Sequence, residues 1–324
     1  MLKTCIFALA AALAVEASAV DWAQVERDWQ THAAAAIKSA RQAPYKINAA
    51  GNRLYLGAIP QIGLGTHGVD QTMVDDFKKA GVKNLRRTIY WSAVENTESP
   101  GVYNQAELDR IDKEIKLLNE NGFSILILVH SNAPGCNFAK RQEAYQRFAD
   151  FMAFLAKRYP EVLYWELWNE MDVGWTDLFG SGTAEERGKL YAEMLKVVYP
   201  AIKKANPKSA VVFGGMAQFD DFLKGAYEGG AKNFFDIANV HTYGIPVKSQ
   251  FLDSGLGIRK VLNDNKDFDK PIWNTEFGAG AEGLTSAWGV PPKNTVAEYD
   301  KMQLEQLQTC IELNEKARIY QRFF

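Results

Sequence analysis

Glu170 and Glu276 stand apart from the other acidic residues of this sequence because each closes a short apolar run instead of lying in a charged one. In Trp165-Glu166-Leu167-Trp168-Asn169-Glu170 the aromatic and aliphatic residues suit a strand covered on both faces, and an amide and a carboxylate end it. Pro271-Ile272-Trp273-Asn274-Thr275-Glu276-Phe277-Gly278 has the same form, with a glycine where the chain turns. Parallel sheets and barrels present groups to ligands at the carboxyl ends of their strands. Two carboxylates facing each other there can act as proton donor and nucleophile, the pair that cleavage of a glycosidic bond requires. A general acid must hold its proton near neutral pH, so it needs a partly desolvated site. Glu170, beside Trp168, is the better candidate. Glu276 is then the nucleophile and has to stay ionised, which hydrogen-bond donors and a nearby cation would ensure.

Such groups occur at the ends of other apolar runs: Arg86 on an expected second strand, His241 and Tyr243 on an expected sixth. Strand alternation lets only one of Arg86 and Arg87 point inward, and the other is then an ordinary charge between strand and helix. His130 ends the third strand with Ser131 and Asn132; it either meets a sugar hydroxyl or is satisfied by its own loop, and both readings stay open. His241 is expected to line the site. Trp175 and Trp288 fall in strand-to-helix loops and are candidate stacking platforms, whereas Trp91 suits core and platform equally. The four histidines (32, 67, 130 and 241) lack the paired spacing of a zinc site. No metal or cofactor is expected.

The elements that must position these residues alternate regularly. Expected strands lie at 54–65, 82–91, 123–130, 162–168, 209–215, 234–243, 271–277 and 317–324. Between them, apolar residues recur at helical spacing, with caps at Asp70, Asn104, Thr183 (boxed with Glu186) and Thr295 (boxed with Glu298). Shorter helices are expected at 220–228 and about 256–263. Eight strands joined by seven helices imply a parallel sheet closed into an α/β (β/α)8 TIM barrel, a single domain at 49–324 that lacks the final helix. An open doubly wound sheet is disfavoured, because Gly57, Gly63, Gly65 and Gly68 do not form a dinucleotide-binding turn.

Composition bounds the partners. At 47% hydrophobic residues and a net charge of −2, the chain can bury a large core and offers nothing to a nucleic acid or an anionic membrane. A carbohydrate is the natural partner and a monomer is expected. Residues 1–19 have the form of a signal peptide: Lys3, an apolar run from Cys5 to Val15 too short to span a bilayer, and the small-residue pattern Ala17-Ser18-Ala19. Export to the periplasm or beyond the cell follows. A helical segment occupies 20–48, with Val25, Trp29, Ala33 and Ile37 on one face, which would cover the flank left by the absent final helix. Cys136 and Cys310 are expected as separate thiols, the first in an active-end loop and the second on an outer helix.

Asn169-Glu170 after a Trp-rich fourth strand, with Glu276 ending the seventh, resembles the signature of the large clan of retaining glycoside hydrolases on (β/α)8 barrels. The chain is most similar to family 39 and family 5-like members, over essentially all of its length after the leader. That resemblance implies β-glycosidic bond cleavage by double displacement, with Glu170 as acid/base and Glu276 as nucleophile. It further implies that Arg86 and Tyr243 hold the nucleophile and that Asn169 meets the sugar 2-hydroxyl; the family pattern also favours Arg86 over Arg87 as the inward residue. The alternative is a glycan-binding protein on a degenerate or truncated barrel that no longer cleaves. An amidase or esterase finds no support, for want of a nucleophile-elbow serine.

Overall fold

The computed structural model describes residues 61–66, 68–173, 179, 182–217, 220–243, 247–278 and 296–324. The expected leader, the helix at 22–40, the Thr295 cap and the candidates Trp175 and Trp288 lie outside the described residues. Eight strands are present: β1 (Gln61–Thr66), β2 (Asn84–Tyr90), β3 (Ser124–His130), β4 (Tyr164–Asn169), β5 (Ala210–Gly215), β6 (Ala238–Tyr243), β7 (Ile272–Gly278) and β8 (Arg322–Phe323). They form one sheet in the order 5-4-3-2-1-8-7-6 with parallel pairing throughout. The two ends of that order also meet. Parallel bridges join Val212 to Ile237 and Met216 to Val240, and the His241 N–H donates to the Met216 carbonyl at 2.8 Å. The sheet is therefore a closed barrel, and β5–β6 is its seam.

Seven helices make the crossovers that parallel strands demand: α1 (Gln71–Lys79), α2 (Gln105–Glu120), α3 (Arg141–Arg158), α4 (Ala184–Ala205), α5 (Asp220–Glu228), α6 (Val247–Asp264) and α7 (Val296–Ala317). The Asp70 carboxylate caps α1 by accepting from Met73 N–H at 2.9 Å, and Thr183 with Glu186 completes a capping box on α4. Helix α6 is longer than its sequence pattern suggests. It takes in Gly255, before the expected start at about 256; a Cβ there would come within 2.5 Å of Ile319, so that glycine marks close packing inside a helix. Strand β8 is correspondingly short, since α7 runs on to Ala317.

Alternation along the strands sorts the core into two bodies. On β3, Ile125, Ile127 and Val129 join the large layer between sheet and helices, while Leu126 joins Tyr164, Val212, Ile237, Trp273 and Phe324 inside the barrel. Below the site, the Arg322 guanidinium packs against both the Tyr164 and Trp273 rings, at 4.7 and 4.6 Å from centroids that are themselves 4.8 Å apart, and donates to Ser124 Oγ. Trp91 belongs to the outer layer, fully buried against Phe148 and Phe151. No disulfide joins Cys136 to Cys310. Among the described residues, no helix is long and apolar enough to cross a membrane.

Helices α4 and α5 approach through glycines: a Cβ at Gly188 would meet the Phe222 carbonyl at 2.1 Å, and one at Gly225 the Glu185 carbonyl at 2.0 Å. Glycine to alanine in a helix ordinarily stabilises by about 0.5–1 kcal/mol. Here Gly188→Ala should instead lower the unfolding free energy by about 1–3 kcal/mol, the usual cost of overpacking. Urea titration followed by circular dichroism measures the sign.

Candidate active site

Two departures from strand regularity build the site. On β4, Tyr164 and Glu166 face the barrel interior, while Trp165 and Leu167 face the helices. Strict alternation would send Trp168 inward and Asn169 outward. Trp168 instead has φ 72°, a left-handed conformation unusual for a bulky residue, and its ring packs outward, edge-on to Phe138 and Phe148. That kink turns Asn169 inward. Glu170 is left-handed as well, at φ 48°, and its N–H donates to the Gly215 carbonyl at 2.9 Å. On β7, the pairing with β6 slips between Val240 and His241, so that Val240 faces Asn274 but His241 faces Glu276. This bulge lets consecutive residues Thr275 and Glu276 both reach the interior. Strained or irregular backbone thus precedes both glutamates.

The side chains converge as one network. Arg86 donates to both oxygens of Glu166 at 2.7 and 3.0 Å, to Glu276 Oε1 at 2.7 Å and to Asn169 Oδ1 at 3.3 Å. The Tyr243 hydroxyl donates to Glu276 Oε2 at 2.8 Å, and His241 Nδ1 lies 2.8 Å from Glu170 Oε1. One ligating atom each of Glu170, His241 and Glu276 lies within 4.8 Å of the others. Arg86 is thus the inward arginine. Arg87 faces the helices, but it is no solvated charge: it is buried and pairs with Glu114 on α2 at 2.6 Å. A cavity of about 440 Å³ opens over the network and is lined by Arg86, Asn169, Tyr243, Glu276, His130 and Tyr90. His130 stands at its edge, with its ring centroid 5.0 Å from that of Tyr90.

Three participants escaped the sequence reading. Glu166 lies one turn of the alternation below the site and is wholly buried. Asn239 Nδ2 donates to Glu166 Oε1 at 2.9 Å and to Thr275 Oγ1 at 2.7 Å, while its Oδ1 accepts from Thr275 N–H. Thr275 passes its own proton to Glu166 at 2.9 Å and offers a lone pair to His241 Nε2 at 3.1 Å. Glu166 carried a signal, a carboxylate inside an otherwise apolar strand. Asn239 and Thr275 looked like ordinary strand residues.

Charge balance sets the protonation states. Burial alone would push the Glu166 carboxyl up, but the Arg86 charge and hydrogen bonds outweigh it and hold the group at about 2. Burial likewise opposes ionisation of Glu276, yet the charges of His241 and Arg86 and the Tyr243 hydrogen bond bring its carboxyl below the ordinary value. Desolvation would neutralise His241; the Glu166 and Glu170 carboxylates prevail and push it up to about 9. As an imidazolium it donates Nε2–H to Thr275 and Nδ1–H to Glu170. Moving the Nδ1 proton to Glu170 Oε1 leaves a neutral ring whose Nε2–H is still satisfied. His241 Nδ1 is thus in position to hand a proton to Glu170 Oε1.

Glu170, His241 and Glu276 are also spaced closely enough to ligate a metal ion. Their oxygens, however, already accept from His241, Arg86 and Tyr243, and two cationic side chains face the position an ion would take. The donor set does not fit a resident metal.

Comparison with known proteins agrees with this architecture. Residues 47–312 match the family model for cellulase (glycosyl hydrolase family 5). A stretch of 146 residues is 28% identical to endoglucanase H of Acetivibrio thermocellus, spanning 44% of this chain and 15% of that protein. Among solved structures, a family 39 glycoside hydrolase from the gut symbiont Bacteroides cellulosilyticus superposes with a TM-score of 0.59 at 20% identity, over 81% of this chain and 55% of that one. Thermotoga maritima Cel5A, solved with cellobiose, superposes at 0.55 with 17% identity, over 82% and 90%. The chain thus spans a small part of the endoglucanase and about half of the family 39 enzyme.

Stability should fall at both ends of the pH scale, for opposite reasons. Glu166 is held below its ordinary value of 4.5, so its contribution is complete above that pH and lost as pH falls through about 2. His241 is raised from 6.5, so its contribution is complete below that pH and lost as pH rises towards and through about 9. Glu166→Gln should reduce the acid-side loss to the share of Glu276 and destabilise the protein at neutral pH by about 3 kcal/mol, because Arg86 then keeps only the partly exposed Glu276 as counter-charge. Thermal melts from pH 2 to 10 on both proteins measure this.

Proposed function

From the premise that this chain belongs to the cellulase family, glycosyl hydrolase family 5, we propose that it is a retaining glycoside hydrolase acting on the β-glycosidic bonds of a polysaccharide or oligosaccharide. The observation that carries this reading is the spacing of Glu170 and Glu276, with oxygens within 4.8 Å. Double displacement uses carboxyl groups about 5–5.5 Å apart, whereas inversion needs about 6.5–9.5 Å to admit a water between them. Glu276, ionised and oriented by Arg86 and Tyr243, attacks the anomeric carbon as the glycosidic C–O bond breaks. The departing oxygen takes a proton from Glu170. In the second half, Glu170 accepts a proton from water, whose oxygen displaces Glu276 from the sugar and restores both groups. His241 holds Glu170 in place through Nδ1.

Asn169, fixed by Arg86 and lining the cavity, is placed to meet the sugar hydroxyl next to the reacting carbon. His130 with Tyr90 forms the polar and aromatic edge beyond it. The run Cys5 to Val15 and the pattern Ala17-Ser18-Ala19 support export, where a glycan would be met outside the cytoplasm.

Glu170→Gln should cut turnover on unactivated β-glycans by about 10²–10⁴-fold, the usual worth of a general acid. It should lose far less in forming the glycosyl-enzyme from aryl glycosides whose leaving group needs no proton. Glu276→Gln should abolish both activities, and NMR of the first-formed product from the natural chain should show the β-anomer. A first product of inverted configuration, or equal loss of Glu170→Gln on both substrate types, would overturn the assignment.

A further inference from the structure

Gly215 ends β5 at the barrel seam and touches the acid's environment twice. Its carbonyl accepts the Glu170 N–H at 2.9 Å, and in the β4–β5 register it lies opposite Asn169. A Cβ at Gly215 would fall 1.9 Å from His241 Nε2 and within 2.5 Å of Cδ2 and Cε1. No left-handed backbone demands glycine at this position. What the position requires is the absence of a side chain, because the imidazole occupies that volume. The His241 backbone is fixed from the same strand end, since its N–H donates to the carbonyl of Met216, the next residue.

We propose that Gly215 is a positioning residue for the proton donor, seating the His241 ring with its open face and the Glu170 backbone with its carbonyl, so that Nδ1 and Oε1 meet. This rests on the reading of Glu170 as acid/base. With the ring so seated, Nε2 reaches Thr275 and Nδ1 reaches Glu170. The charged groups that face the ring are Glu166 and Glu170 from β4 and the turn after it, Glu276 from β7 and Arg86 from β2. A methyl group at 215 displaces the ring from the carboxylates that keep it protonated, while Arg86, Tyr243 and Glu276 keep their mutual contacts. The acid loses its hydrogen-bond partner, whereas the nucleophile keeps both hydrogen bonds and loses only the His241 charge 3.7 Å away.

The test uses the whole chain. With isotope-labelled histidine and His241→Asn to identify the signal, the NMR titration midpoint of His241 should fall towards that of an ordinary histidine in Gly215→Ala. The alkaline limb of the kcat profile on an unactivated glycan should shift down with it, with a loss of at least about tenfold at neutral pH. Turnover of an activated aryl glycoside should fall much less. Because Gly215→Ala can fail to fold, the double variant Gly215→Ala with His241→Ala is made as well. With the ring gone there is no clash, so it should melt with His241→Ala alone and match its activity, the two changes being non-additive. A folded Gly215→Ala with an unmoved His241 titration, or a double variant that melts well below His241→Ala, overturns the proposal. The NMR and melting arms need no turnover, so they separate its failure from failure of the glycosidase reading.

Discussion

The Arg86 guanidinium, almost wholly buried, bridges Glu166 below it and Glu276 above it, and the rest of the site has to be consistent with that bridge. A buried ion without a partner costs several kcal/mol, and Glu166 keeps the arginine paired even when Glu276 is esterified to the sugar. Glu166 satisfies one edge of the guanidinium from within the barrel and leaves Nη1 directed at Glu276. The lower pair is structural, and its effect is to keep a cation permanently aimed at the upper carboxylate. Asn239 and Thr275 occupy the remaining lone pairs of Glu166 and extend the same constraint to His241. Nucleophile and acid are therefore held by one electrostatic unit spanning β2, β4, β6 and β7.

Much of this was legible in the residues because the barrel turns a linear pattern into a spatial one. Apolar runs ending in Arg, His, Asn or Glu are strands whose polar ends share a rim, so Arg86, Asn169, Glu170, His241, Tyr243 and Glu276 could be named before their contacts were known. The β/α order and most boundaries followed from the same periodicity. The misreadings have physical causes. Helix α6 starts before 256 and takes in Gly255, which serves close packing inside it, and Arg87 keeps its charge in a dry layer because Glu114 meets it there. Glu166, Asn239 and Thr275 were missed because hydrogen bonding between strands is a property of register, which the order of residues along any single strand does not display.

Sequence periodicity alone would also have aimed Asn169 and Glu276 away from the cleft. On β4 and β7 a perfectly regular strand would turn a needed side chain away from the cleft. The left-handed Trp168 and the bulge at Thr275 each change the parity of one strand at its last residues. Trp168 has two effects at once, since the kink that frees Asn169 also drives the indole among Phe138 and Phe148. Packing of the aromatic ring offsets the backbone strain that aims the amide.

The barrel interior has two storeys, and Arg322, packed against the touching rings of Tyr164 and Trp273, belongs to the lower. The upper storey is a charged machine whose members depend on one another; the lower is built of rings and aliphatics. Laboratory evolution for heat tolerance in the lower compartment therefore reaches the proton chemistry through Leu126 and Val212, which lie opposite Arg86 and Glu166 in the strand register.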